Sequence, residues 1–175
     1  PDQIQDEIRK LLILVTDFYK SFGFKPQFYF ATKPDKAMGD PKLWQEAEKD
    51  LEITIKDEKV NYGIKEIDGA FYGPKIDIHI KDSQSRDWQL ATIQLDFQIP
   101  ERMKLEYVDK DGLKKRPVII HRAILGSLER FIGILTEHFQ GAFPLWLSPV
   151  QVVVLPIADR HQEHAKKIHD ELQEA

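Results

Sequence analysis

Two alternating runs joined by a short polar turn constrain this chain first. Ile76, Ile78 and Ile80 alternate with Asp77, His79 and Lys81, the period of a half-buried strand. The turn Asp82 to Arg86 leads into Trp88 to Phe97, where Ala91, Ile93, Leu95 and Phe97 share one face and Thr92, Gln94 and Asp96 share the other. A further hairpin is predicted from Leu105 and Tyr107 through an Asp111-Gly112 turn to Pro117–His121. Consecutive strands joined by tight turns predict an α+β fold: an antiparallel sheet with helices covering one face.

The helices have their own signatures. Ile4, Ile8, Leu11, Leu12, Val15, Phe18, Tyr19 and Phe22 recur at helical spacing before Gly23. Asp2 is the expected cap, and Ile13 and Leu14 are expected to widen a well-buried stripe. Gln27 to Ala31 reads as a short strand. Asp40-Pro41 is a cap followed by proline at the first helical position, opening a helix to about Lys56 with Trp44, Ala47, Leu51 and Ile55 inward. A third helix, capped by Ser127, should turn Leu128, Phe131, Ile132, Leu135 and Phe139 to one side. The proline-rich segment 143–149 reads as a linker. Beyond it, Val150 to Leu155 is predicted as a buried strand of the parallel type, then a helix capped by Asp159 with Ala165, Ile168 and Leu172 inward. The organisation expected is a domain over 1–147 and the first βα unit of an α/β domain over 148–175.

Composition removes several function classes. The 175 residues carry a net charge of −4, so nucleic-acid contact would need a local patch rather than a global field. Cysteine is absent, which excludes disulfides and cysteine-based metal cages within these residues and fits a reducing compartment. No apolar run is long enough to span a bilayer, and no signal-peptide pattern opens the chain. The chain starts at Pro1 and its first methionine is Met38, so it is expected to be part of something longer.

Val118 to Leu135 joins an apolar strand ending in His121 to a helix carrying Arg130 near its start. A helix N-terminus is already positive, so a cation there needs a partner. That partner is either a bound anion or a neighbouring carboxylate. His121, at the end of a strand expected to be buried, is either a hydrogen-bonded structural residue or a ligand. His79 and His138 read as surface residues. His161 and His164 are one helical turn apart with no third ligand in view. Gly73-Pro74-Lys75 lacks P-loop spacing; it is either a bend into the strand or a place where Tyr72 and Lys75 line a pocket. Gln89, Thr92 and Gln94 need hydrogen-bond partners, which a ligand-binding face or a solvated face would supply. Gln89 and Gln94 have opposite parity, so both serve one face only if a bulge intervenes. No Ser-His-Asp order, paired catalytic carboxylates or dinucleotide fingerprint is present.

The blocks Ala70 to Asp77, Trp88 to Phe97, Pro100-Glu101-Arg102 and Val118 to Leu135 resemble the threonyl-tRNA synthetases, and His121 to Arg130 resembles motif 3 of class II aminoacyl-tRNA synthetases generally. The resemblance covers essentially the whole chain. It implies the C-terminal half of a class II catalytic domain and the start of an anticodon-binding domain, in a cytoplasmic, homodimeric ligase. That ligase would activate threonine with ATP and magnesium and pass it to tRNA(Thr), and this segment alone would be inactive. Carried over by position, Arg130 would be the catalytic residue holding the ATP phosphates, with Gln89, Thr92 and Ser127 also on the ATP. Tyr72, Gln94 and Lys75 would contact threonine, and His121 would be one zinc ligand whose partners lie upstream of Pro1. Leu90 and Ala91 stand where the family usually has Cys and Gly. Motifs 1 and 2 are not in this chain, and nothing in it resembles an editing function. The alternatives are a synthetase-like non-catalytic binding module and another class II synthetase.

Overall fold

The computed structural model describes residues 2–174 and forms two compact units, Pro1–His138 and Phe139–Ala175. In the first, helix α1 (Ile4–Ser21) buries Ile4, Ile8, Leu12, Val15 and Tyr19, the face that a 3.6-residue period brings together. Ile13 and Leu14 are exposed: at 100° per residue they fall on the far flank, so the stripe is narrower than expected. Asp2 does not cap this helix. The helical geometry begins one residue later, at Gln3, which makes no side-chain cap bond.

Strand β1 (Gln27–Ala31) leads to helix α2 (Pro41–Asp57), where the Asp40 carboxylate accepts the Lys42 N–H at 2.8 Å. Its inward face is Trp44, Ala47, Leu51 and Ile55, as the spacing predicts. Gln5 to Asp50 (3.0 Å) and Arg9 to Glu58 (2.8 Å) tie α2 to α1.

Strands β2 (Tyr62–Lys65), β3 (Lys75–Lys81) and β4 (Asp87–Asp96) follow. Then come the short helix α3 (Gln98–Arg102), a small ribbon of β5 (Tyr107–Val108) and β6 (Lys114–Lys115), and strand β7 (Ile119–Ala123). The five-stranded sheet has the order β2-β1-β3-β4-β7. All its pairs are antiparallel except β1–β2, the pair joined by the α2 crossover. The hairpin near Asp111-Gly112 exists, but its returning strand is Lys114–Lys115. Pro117–His121 instead feeds β7, which pairs with β4 at the sheet edge and is only half-buried.

Ile76, Ile78, Ile80, Ala91, Ile93 and Leu95 form the buried apolar face of the central strands. Helix α4 (Leu128–Phe139) packs through Phe131, Ile134 and Leu135. The Phe131 ring meets Phe18 and Phe22 of α1 with centroids 5.8 and 5.3 Å apart. Leu128 and Ile132 are exposed, because the packed face centres on the i, i+3, i+4 set 131, 134 and 135. His138 is not a plain surface residue: it is half-buried, with its ring 4.4 Å from that of Phe24.

In the second unit, two 3₁₀ turns (Leu145–Leu147 and Asp159–His161) precede helix α5 (Gln162–Glu174). Residues 150–155 form no strand, and Val150, Val152, Val153 and Leu155 are exposed. A strand of the doubly covered kind needs neighbours on both edges, and no described residues pair with this segment. For the same lack of a covering layer, Ile168 and Leu172 of α5 are not buried, and Asp159 opens the 3₁₀ turn rather than α5. Among the described residues no helix is long and apolar enough to cross a membrane.

Candidate functional site

A β-bulge assembles the site. Ile78 lies opposite Ala91 but His79 lies opposite Gln89, so Leu90 is the extra residue of β4. The insertion resets the alternation and puts Gln89 on the same face as Thr92 and Gln94. Leu90 and Ala91 are both buried, as befits packing positions.

On that face the hydrogen bonds run one way. The Tyr72 hydroxyl donates to Gln94 Oε1, Gln94 Nε2 donates to Thr92 Oγ1 at 3.3 Å, and the Thr92 hydroxyl donates to Asp77 Oδ1 at 3.2 Å. Gln89 Nε2 donates to the same Asp77 oxygen at 2.7 Å. Asp77 Oδ2 lies 2.8 Å from Lys75 Nζ, an ion pair made without hydrogen-bond geometry. The Asp77 side chain is fully buried and that of Lys75 is 14% exposed, so the pair is largely shielded from water. Asp77 is therefore the common acceptor of a network that contains five of the sequence-derived candidates: Tyr72, Lys75, Gln89, Thr92 and Gln94.

His121 borders this network, paired across the ladder with Gln94. Its ring centroid is 5.6 Å from that of Tyr72, and Nε2 sits 2.9 Å from Asp96 Oδ2. The other Asp96 oxygen accepts the N–H groups of Gln98 and Ile99, so the carboxylate that orients His121 is itself fixed. With Nε2–H given to Asp96, the imidazole presents Nδ1 as its lone-pair nitrogen, the carboxylate–histidine arrangement found behind metal ligands. Among the described residues, however, no three His, Cys, Asp or Glu stand together as a metal site. Burial, and secondarily the charge of Asp96, push the Tyr72 phenol above its ordinary pKa, with Lys75 opposing. Tyr72 thus stays a neutral donor.

The Phe71-Tyr72-Gly73-Pro74 segment is clamped to β4. A side chain at Gly73 would place its Cβ 1.6 Å from the Leu95 carbonyl oxygen. Leu95 N–H donates to Pro74 O at 3.1 Å, and Met38 N–H donates to Phe71 O at 2.8 Å. The glycine is there because backbone meets backbone.

Arg130 and Ser127 lie outside the hydrogen-bonded network. Ser127 caps α4, accepting the Arg130 N–H at 3.2 Å. The preceding Gly126 has φ +70°, and a Cβ there would be 3.2 Å from Leu90 O, so this turn lies against the bulge. The buried Tyr19 hydroxyl holds it from below by donating to Ile124 O. The Arg130 guanidinium carbon stands 5.7 Å from the Trp88 ring centroid, one strand position from Gln89. Among the described residues no carboxylate pairs with Arg130, an exposed cation at a helix start, a position suited to an anion.

Sequence reasoning missed Asp77, Asp96 and Trp88. Asp77 left a signal, an acid alternating with isoleucines, but only the ladder shows that it faces Thr92. His79 is also corrected: it is buried, with Nδ1 2.6 Å from Asp87 Oδ2, Nε2 2.8 Å from Lys65 Nζ and its ring against Tyr29. The side chains of Tyr29, Lys65 and Asp87 surround the imidazole on this part of the polar face.

The first unit is thus a mostly antiparallel sheet with a polar network on one face, closed by a strand–turn–helix bearing an arginine in the first turn. The family model for the "tRNA synthetase class II core domain (G, H, P, S and T)" matches residues 1–139, and the chain belongs to that family. Curated relatives that it matches include threonine–tRNA ligases. That of Syntrophomonas wolfei is 55% identical over 175 residues, covering 100% of this chain and 28% of the relative. That of Caldanaerobacter subterraneus is 54% identical over 174 residues (99% and 27%). A threonine–tRNA ligase catalytic subunit from Saccharolobus islandicus is 51% identical over 174 residues (98% and 32%). The chain thus spans roughly a quarter to a third of these proteins. Among solved structures, the RNA binding domain of threonyl-tRNA synthetase from Cryptosporidium parvum superposes with a TM-score of 0.91 at 44% identity, covering 99% of this chain and 44% of that one. A putative threonyl-tRNA synthetase from Aeropyrum pernix gives 0.74 at 26% identity, covering 97% and 41%.

Proposed function

We propose that this chain is the motif 3 half of a threonine–tRNA ligase catalytic core, continuing from about residue 148 into an anticodon-binding domain, in a cytoplasmic homodimer. Tyr72, Gln94 and Lys75 contact the threonine, Gln89, Thr92 and Ser127 line the ATP site, and Arg130 holds the phosphates of magnesium-bound ATP. His121 supplies one ligand to a zinc whose other ligands lie outside this chain.

The reaction joins a threonine carboxylate oxygen to the α-phosphorus of ATP, with pyrophosphate leaving. The threonyl group then passes to a hydroxyl at the 3′ end of tRNA(Thr), releasing AMP. No protein nucleophile is needed, so the chain's own residues act by holding reactants and stabilising charge. Tyr72, kept neutral, and Gln94 offer fixed polar groups. Lys75 is already ion-paired with Asp77, which suits a positioning role, whereas Arg130 meets no carboxylate among the described residues and is open to the triphosphate.

The observation that carries this reading is the Asp77-centred network on the strand that also bears Trp88, against which stands an arginine that meets no carboxylate among the described residues. Threonine-dependent ATP–pyrophosphate exchange by the full-length protein carrying this segment tests it. R130A is expected to lower kcat/KM for ATP by about 10²-fold or more, the scale for losing one transition-state charge donor. Exchange within twofold of the parent would sink the assignment. The isolated 175 residues are expected to show no exchange.

A further inference from the structure

Arg130 is long, exposed and flexible by nature, yet a phosphate-binding cation must be held where the phosphate will be. Among the described residues, the side chain that addresses its guanidinium is the indole of Trp88, with the cation 5.7 Å from the ring centroid. That indole is itself fixed. Its Nε1–H donates to Asp82 Oδ2 at 2.8 Å, and the same carboxylate takes Arg86 Nε at 2.5 Å and the N–H groups of Gln84 and Arg86 at 2.9 Å each. Arg86 also lies 5.8 Å from the Trp88 ring. The two arginines on this ring are treated differently: Arg86 is neutralised by Asp82 and by Glu137 of α4, while Arg130 meets no carboxylate among the described residues. The Glu137 bond also ties α4, which carries Arg130, to the β3–β4 turn.

We infer that Trp88 is a positioning residue for Arg130: its ring face, locked by Asp82, holds the guanidinium in place without cancelling the charge that the ATP phosphates require. A carboxylate in the same position would orient the arginine equally well but compete with the phosphate. An aromatic face attracts a cation and leaves its net charge intact. This inference rests on the ATP role proposed for Arg130.

The test uses the full-length protein carrying this segment, with W88L, W88F, R130A and W88L/R130A assayed by ATP–pyrophosphate exchange at varied ATP and varied threonine. Loss of an exposed cation–π contact predicts that W88L raises KM for ATP about two- to fivefold while KM for threonine is unchanged. W88F, a weaker cation-binding ring, should fall between W88L and the parent, and W88L should add nothing once Arg130 is gone. If W88L does not fold, W88F alone and on the R130A background carries the comparison, with a rise of up to about twofold expected. An undiminished effect of the Trp88 substitution in the R130A background, or equal changes in both KM values, would overturn the inference with the ATP role of Arg130 intact. An R130A variant with unchanged ATP kinetics would overturn that underlying role instead.

Discussion

Asp77→Asn is the most incisive perturbation of this protein, because it changes one charge and little shape. The asparagine keeps Oδ1, so Gln89 and Thr92 retain their acceptor. What changes is the atom facing Lys75: a carboxylate oxygen 2.8 Å from the ammonium becomes an NH₂ group with its hydrogens directed at a cation. With the Asp77 side chain fully buried and Lys75 only 14% exposed, water replaces little of the lost attraction. Breaking a buried pair from one side costs about 3–5 kcal/mol. Asp68, whose Oδ2 is 3.7 Å from Lys75 Nζ, supplies a weak second partner, so the lower end, about 3 kcal/mol, is expected. At this size that corresponds to a fall in Tm of roughly 6–12 °C. Urea denaturation at pH 7, followed by circular dichroism, measures it for D77N, K75M and D77N/K75M. The double variant should recover part of the loss, with a coupling of about 1–3 kcal/mol between contacting residues. A D77N loss below about 1 kcal/mol, or strict additivity, would refute the buried-pair reasoning.

Three further outcomes are expected. Tyr19→Phe removes the hydroxyl that holds Ile124 O and should cost about 1 kcal/mol in urea melts. It should also accelerate amide exchange over residues 124–127, which would stay unchanged if that turn were held by other contacts. Asp82 responds to acid: burial raises its pKa, but hydrogen bonds from Trp88, Arg86 and the turn backbone outweigh this and hold it well below the carboxylate range. A pKa depressed in the folded state contributes stability above the unfolded value of about 3.9, lost as pH falls through and below it. The stability gap between the parent and D82N should therefore be full at pH 6 and shrink progressively below about pH 4; a gap constant down to pH 2.5 would contradict this. Gly73→Ala must push the Phe71–Pro74 segment off β4, since its Cβ would stand 1.6 Å from Leu95 O. Destabilisation near the upper end of roughly 1–3 kcal/mol should follow, with loss of exchange protection at Leu95 N–H, and normal protection there would be the disproof.

Local pattern alone determined much of this protein. The helical period from Ile4 to Phe22, the Asp40-Pro41 start and the strand over Ile76, Ile78 and Ile80 are short-range consequences of backbone geometry and stand where predicted, although β3 is buried on both faces, Asp77 and His79 included, rather than half-buried. The site candidates were legible too, because polar residues in a central strand demand partners wherever the strand ends up. Their chemistry came from the resemblance; composition and spacing alone pointed only to an anion site.

Tertiary structure decided the rest, wherever the answer depended on which neighbour arrives. Val150 to Leu155 is as apolar as a core strand, but a strand exists only through its ladder partners, and none of the described residues supplies them. Leu128 and Ile132 match a helical stripe, yet the packing of Phe131 against Phe18 and Phe22 selects a different face. Parity placed Gln89 away from Gln94, and only the register against β3, with Leu90 bulged, puts both on one face. Asp77 became the hub because Thr92 happens to lie across from it and Lys75 beside it. Residue type determined which groups needed partners, and long-range pairing determined which partners they received.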